Sequence, residues 1–204
     1  LAENFAKREK DFAPYAASRA IFSKNGKPYQ IGDLWVQSDL AQTLVRIRDN
    51  GRAGFYQGRT ADLLVAEMEA GNGLITHQDL KDYQPRWRQP IRGTYKGYEI
   101  VSMPPPSSGG ILLVQMLNML EDYDLGKMGF ASSAAIHHMI EAQRRAYADR
   151  AQHLGDADFY PVPEQQLISK AYARKRFADF NPSQASQSEN IESGNVPYES
   201  LETT

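Results

Sequence analysis

The chain has 204 residues, 41% of them hydrophobic and 24% charged, with a net charge of −2, the balance of a globular protein able to bury a substantial core. That charge gives no electrostatic reason to bind nucleic acid or an acidic membrane surface, and no apolar run approaches the roughly 20 residues of a membrane span. The absence of cysteine excludes disulfides, thiolate metal sites and cysteine nucleophiles.

Residues 1–12 are charged and read as helical or frayed. They carry no signal-peptide pattern, and the lack of an initial methionine suggests an excised piece. Asn25-Gly26 marks a turn. Residues 39–50 read as a helix: Leu40, Leu44 and Ile47, with Val45 alongside, share one face, Ser38 is placed to cap it and Gly51 to end it. A second helix is expected over 59–70, with Leu63, Leu64 and Met68 inward, stopping at Gly71-Asn72-Gly73. Thr76-His77-Gln78-Asp79 matches a capping box for a short helix through Tyr83.

Between Trp87 and Ser102 the period changes. Ile91, Tyr95, Tyr98, Ile100 and Val101 around Gly93 and Lys96-Gly97 predict two strands and a tight connection. Pro104-Pro105-Pro106 stops the second strand, and Ser107-Ser108-Gly109-Gly110 leads into a helix over 111–123 that is apolar on most sides and so expected to be central. A long helix is expected over 132–153 and a shorter one over 168–180. From Asn181 the chain is rich in Ser, Gln, Asn and Glu, and 181–202 reads as a surface loop or disordered tail. The domain reading is therefore a helix-rich part over 1–180 and a flexible polar tail over 181–204.

Most local constellations have a plain structural account. Ser107 or Ser108 is expected to cap the apolar helix, with the glycines allowing close packing; the functional alternative is an anion held by free N–H groups. No Gly-x-Ser-x-Gly elbow is present, which argues against a hydrolase serine. His138 and Glu141 share a helix face, but the second histidine of a zinc-protease pattern is missing, so a polar helix face is expected and no metal site. Asp156 and Asp158 lack the ligands of a calcium loop and read as a turn. Arg145 and Asp149 are spaced for an intrahelical ion pair; the alternative is that an arginine of Arg144, Arg145 and Arg150 supports an active site from a neighbouring layer. Tyr147 reads as a core or boundary aromatic.

Taken together, the segments resemble one family. Gly32-Asp33-Leu34, Gln37-Ser-Asp-Leu-Ala-Gln-Thr-Leu44, Gly51-Arg-Ala-Gly-Phe-Tyr-Gln-Gly58 and Gly73-Leu-Ile-Thr-His-Gln-Asp-Leu-Lys-Asp-Tyr83 are similar to the γ-glutamyltranspeptidases. So are Pro90-Ile-Arg-Gly-Thr-Tyr-Lys-Gly-Tyr98 and, most specifically, Met103-Pro-Pro-Pro-Ser-Ser-Gly-Gly-Ile111 with Gln115-Met-Leu-Asn118. Glu141 through Tyr147-Ala-Asp-Arg150, Leu154-Gly-Asp-Ala-Asp-Phe159, Pro197-Tyr-Glu-Ser200 and Thr203-Thr204 complete the order. The resemblance implies an α+β, helix-rich segment of an N-terminal-nucleophile hydrolase, a fold whose complete form is a four-layer αββα sandwich.

It also implies a function. Family members are made as one precursor that cuts itself into a large and a small subunit, and the threonine exposed by the cut is the nucleophile. By its place in the motif Thr203 resembles that catalytic residue, and Glu202–Thr203 the cleavage site. The family moves the γ-glutamyl group of glutathione or a related amide to water, an amino acid or a dipeptide, without metal or organic cofactor. The implied partners are the small subunit of the same precursor, glutathione and those acceptors; the implied location is periplasmic or extracellular. Against a complete member this segment lacks the upstream arginine that holds the substrate carboxylate and everything beyond Thr204, so it is expected to be inactive alone and assigns no substrate-binding residue. The family's Ser-Ser pair belongs to the small subunit, so no catalytic role passes to Ser107 or Ser108. Two alternatives stand: a related self-processing acylase with another acyl substrate, such as a cephalosporin acylase or a capsule-processing transpeptidase, and a non-enzymatic helical interaction domain. Stripped of the strands that cover it in the whole enzyme, the apolar helix over 111–123 is expected to drive self-association.

Overall fold

The computed structural model describes residues 1–196 and divides into two compact units, Leu1–Pro85 and Arg86–Thr204. The division falls at Pro85, whereas composition alone places a boundary at 180.

In the first unit, three short helices, α1 (Ala2–Lys7), α2 (Glu9–Phe12) and α3 (Ala16–Phe22), precede a hairpin of β1 (Ser23–Lys24) and β2 (Lys27–Pro28). Asn25 and Gly26 both have positive φ, 54° and 77°, as the tight hairpin turn requires. Aromatic rings close this end: Phe5 lies 5.0 Å from Trp35 and Phe12 stacks on Phe22 at 4.6 Å. Four helices follow: α4 (Ser38–Asn50), α5 (Ala53–Tyr56), α6 (Gly58–Ala70) and α7 (His77–Asp82).

Two expectations are corrected here. Ser38 is the first helical residue of α4, with Gln37 at the cap position and no side-chain cap bond. On α6 the covered face is Ala61 and Val65, which pack with Leu80 of α7, while Leu63 is exposed and Leu64 and Met68 only half-covered. Small residues face the neighbouring helices because α5 and α7 approach closely. The capping box of α7 forms as expected. Thr76 Oγ1 accepts from the Asp79 amide at 3.2 Å, and Asp79 accepts from the Thr76 amide at 2.8 Å.

In the second unit, β3 (Ile91–Tyr95) and β4 (Tyr98–Ser102) form an antiparallel hairpin with Tyr95 opposite Tyr98 and the turn at Lys96 and Gly97, both at positive φ. Helix α8 (Gly109–Leu120) is followed by α9 (Leu125–Met128), α10 (Ser133–His153), α11 (Glu164–Leu167) and α12 (Lys170–Arg176). Helix α8 is central, as its composition predicts, packed by β3–β4, α10 and α12. Gly93 makes the strand contact close: a Cβ there would lie 2.6 Å from Val114 Cγ1. Ile111 and Val114 join Ile91, Leu167 and Val196 in one cluster; Met119 and Leu120 join Ala142, Ala173 and Phe177 in another. The expectation that α8 needs strands from elsewhere to cover it is thus corrected, since elements of this same unit bury it.

The helix expected over 132–153 is present, with Ser132 Oγ accepting from the Ala135 amide at 3.1 Å. The one expected over 168–180 is shorter. Ser169 caps it, and Phe177 and Phe180 leave the helix to stack on each other at 4.5 Å beside Tyr123. Among the described residues the strands form only two separate hairpins, so this segment is helix-rich α+β and does not itself build a layered sandwich.

Candidate functional site

Glu202 and Thr203 lie outside the described residues, as does Pro197-Tyr198-Glu199-Ser200 before them. The described part of the site is therefore the chain that leads to them and the surface that holds it.

The serine-glycine entry to α8 is a structural joint. Ser107 Oγ accepts from the Gly109 amide at 3.3 Å, while Ser108, at the cap position, makes no cap bond and instead accepts from Arg150 Nε at 3.0 Å. The capping role expected of Ser108 is corrected, because its backbone is already helical and its hydroxyl faces α10. The close-packing role of the glycines holds at Gly110, where a Cβ would overlap the Met103 carbonyl oxygen. Asp156 and Asp158 form a turn, with the Asp158 amide donating to Asp156 Oδ1 at 3.0 Å, and Asp158 accepts from Arg88 at 2.7 Å. The Arg88 hydrogen bond holds the Asp158 carboxyl below its ordinary pKa.

His138 and Glu141 share a face of α10, but it is a buried face rather than a solvated one, and the two side chains part. His138 Nδ1 lies 2.8 Å from the Ala134 carbonyl with its ring against Tyr123 and Phe180. Glu141 turns to Arg145. Its Oε2 accepts from Arg145 Nη1 at 2.8 Å and its Oε1 from the Ser186 amide at 2.9 Å. Burial acts to raise the Glu141 carboxyl, and the hydrogen bonds from Arg145 and Ser186 outweigh it, holding the pKa at about 2.

The intrahelical pair expected between Arg145 and Asp149 is not formed. Arg145 bonds backwards to Glu141 and outwards to Asp179 at 2.9 Å, with its guanidinium 5.4 Å from the Phe177 ring centre. Asp149 pairs instead with Arg176 of α12. Its Oδ1 is 3.0 Å from Arg176 Nη2 and accepts from the Gly194 amide at 2.7 Å; its Oδ2 accepts from Arg176 Nε at 3.1 Å, Tyr172 Oη at 2.9 Å and Gln115 Nε2. Burial, and then the negative charge of Asp149, raise the Tyr172 phenol pKa, so it serves as a donor. Glu141, Arg145 and Asp149 are each 1% exposed. Charges this deep persist only when paired and hydrogen-bonded, and stripping one partner costs about 3–5 kcal/mol.

Onto these charges the polar segment is fastened. Ser186 bonds Glu141 through its amide and Arg144 through its carbonyl. The Glu192 carbonyl accepts from Arg176 at 2.9 Å, and the Gly194 carbonyl lies 2.8 Å from His153 Nε2. Gly194 fits because it has no side chain: a Cβ would overlap the Tyr172 hydroxyl and sit 2.5 Å from Arg176 Cδ. Val196 then enters the Ile91–Ile111–Val114–Leu167 cluster. Residues 181–196 are irregular, as their composition predicts, apart from a 3-10 turn at Ser188–Asn190, yet they are anchored at several points.

Among the described residues the arrangement pairs buried charges with donors. It holds a chain in register. Sequence reasoning missed Arg176 and Gly194, although two signals were visible: Glu141, Arg145 and Asp149 recur every fourth residue along one helix face, and a glycine sits in a segment otherwise without hydrophobic purpose.

The family described as gamma-glutamyltranspeptidase matches residues 1–204. The chain is 48% identical over 188 residues to the glutathione hydrolase proenzyme of Escherichia coli (strain K12), an alignment covering 92% of this chain and 32% of that protein. It is 45% identical over 175 residues to the acylase ACY 1 proenzyme of Pseudomonas sp. (strain SE83), covering 86% of this chain and 31% of that protein. Among solved structures, the Helicobacter pylori gamma-glutamyltranspeptidase superposes with a TM-score of 0.90 at 46% identity, covering 95% of this chain and 56% of that one. The chain spans about a third of the length of the curated relatives it matches.

Proposed function

The chain belongs to the γ-glutamyltranspeptidase family, and from that premise we propose that it is the C-terminal part of a large subunit whose parent cuts itself at Glu202–Thr203 and then transfers γ-glutamyl groups. The observation that carries this reading is the family match across all 204 residues, with the motif order running up to Thr203. In the precursor the Thr203 hydroxyl attacks the Glu202 carbonyl carbon. The C–N bond breaks as the C–O bond forms, the hydroxyl proton passes to the departing nitrogen, and water opens the resulting ester. The products are a Glu202 carboxylate and a Thr203 with a free α-amine.

A threonine hydroxyl is a weak nucleophile on its own. The freed amine, with a pKa of ~8, is partly neutral near pH 7 and takes the hydroxyl proton as Thr203 attacks the γ-carbonyl of glutathione or a related amide. The amide C–N bond breaks, the donor's amine leaves with that proton, and the γ-glutamyl group then passes from the Thr203 ester to water, an amino acid or a dipeptide, which restores the hydroxyl. The small subunit of the same precursor supplies the remainder of the site, and the activity is periplasmic or extracellular. No helix among the described residues is long and apolar enough to cross a membrane.

A second reading has a specific observation in its favour. The 45% identity to an acylase proenzyme is close to the 48% to a glutathione hydrolase proenzyme, so a parent acting on another acyl group fits nearly as well. Chromogenic anilides separate the two. Preference for the γ-glutamyl anilide over the same anilide lacking the α-amino group supports the transpeptidase; the reverse preference supports the acylase.

A further inference from the structure

Residues 186–194 keep a fixed register on α10. Two carboxylates eight residues apart on this helix, Glu141 and Asp149, accept the amides of two residues eight apart in the segment, Ser186 and Gly194. The segment therefore runs parallel to α10 over a rise of about 12 Å. Both ends of this ladder are locked. Arg144 and Arg176 hold the Ser186 and Glu192 carbonyls, and His153 lies against that of Gly194. Lifting Gly194 away would leave Asp149 Oδ1, on a residue 1% exposed, with Arg176 as its remaining partner among the contacts described. A buried carboxylate that loses a donor is costly, so the segment is held by the charge it helps to neutralise.

We propose that Asp149, with Glu141, is a positioning residue for self-processing: it fixes the direction and register with which the chain enters the Glu202–Thr203 bond. This rests on the reading that the parent cuts itself there. Six residues, 197–202, separate Val196 from Thr203, a reach of at most about 25 Å when extended. Attack of a hydroxyl on its own preceding carbonyl depends on a near-attack geometry, and a misplacement of about 1 Å can cost about 100-fold in rate. A loose anchor would leave the start of that stretch free as well; the ladder fixes where it starts, at Gly194 and Val196.

The test uses the full-length precursor and follows its first-order splitting by intact mass. Gly194→Ala places a methyl group against the Tyr172 hydroxyl and Arg176 while both carboxylates stay in the chain. It is expected to slow cutting at least ten-fold, with a melting temperature within a few degrees of wild type. The material that has been cut should show wild-type kcat and KM on a γ-glutamyl anilide. Asp149→Asn should slow cutting likewise, and Tyr172→Phe in the Gly194→Ala background should restore part of the rate by removing the obstructing hydroxyl. Cutting of Gly194→Ala at the wild-type rate overturns the proposal. So does a parallel fall in rate, melting temperature and kcat, which would mark a structural role alone. A wild-type precursor that stays intact instead removes the self-cutting reading underneath, and the proposal with it.

Discussion

Asp149 and Glu141 stand about two turns apart on α10; Glu141 is neutralised by a near residue and a distant one, Asp149 by distant residues. Glu141 offers a direct thermodynamic check. Its carboxyl is held at about 2 against an ordinary 4.5, so the folded state prefers the charged form. The stability linked to it is complete above about pH 4.5 and is lost as pH falls through about 2, a contribution of about 3 kcal/mol. Glu141→Gln should lower stability at pH 6 and flatten its decline between pH 4.5 and 2, read from urea midpoints across that range. An unchanged slope would mean the carboxylate is not held as described. At this scale the sequence was only partly readable. Thr76 and Asp79 declare their capping box because both partners lie within one turn. Arg145 and Asp149 have ideal spacing for a pair, but spacing permits a contact without choosing it. Arg176, 27 residues beyond Asp149, wins because α12 brings a two-pronged guanidinium against the carboxylate.

Among the elements, α8 shows how composition and close approach combine. Its apolar residues predict a central helix, and Gly93, Gly110, Ala142 and Ala146 let strand, loop and helix backbones come near it. Gly110→Ala should therefore destabilise the chain by about 1–3 kcal/mol, since the obstructing atom is the Met103 backbone oxygen and cannot swing aside. A denaturant midpoint equal to wild type would contradict that packing. The ends of elements were less legible than their cores. Tyr123, Phe177 and Phe180 carry helical spacing in the sequence but leave their helices to form an aromatic cluster around His138. A tertiary contact of that kind has no local signature. The same holds for α6, whose buried stripe is chosen by the helices that approach it.

For the whole molecule, the unsatisfied surface lies elsewhere than the sequence suggests. With most of α8 covered, an exposed apolar stripe lies on α10, where Ile136, Met139, Ile140 and Tyr147 are each between 41% and 54% exposed. We expect the 204-residue chain to be inactive on γ-glutamyl anilides and to self-associate in sedimentation at low micromolar concentration, with Ile136→Glu and Ile140→Glu together restoring a monomer. Turnover by the isolated chain would sink the first expectation, and a wild-type monomer the second. The family was legible in the sequence because its motifs are dense from Gly32 onward, whereas the ladder that holds residues 186–194 was not, because it joins α10, α12 and an irregular segment that no periodicity describes.

Thr203 is proposed to cut the bond before it. Intact mass of the purified full-length precursor, wild type beside Thr203→Ala, tests it most directly. Two wild-type chains are expected, with masses that place the junction between Glu202 and Thr203, and a Thr203→Ala protein that stays in one piece. A wild-type chain that remains whole, a junction elsewhere, or a Thr203→Ala protein that still splits at this bond would contradict it.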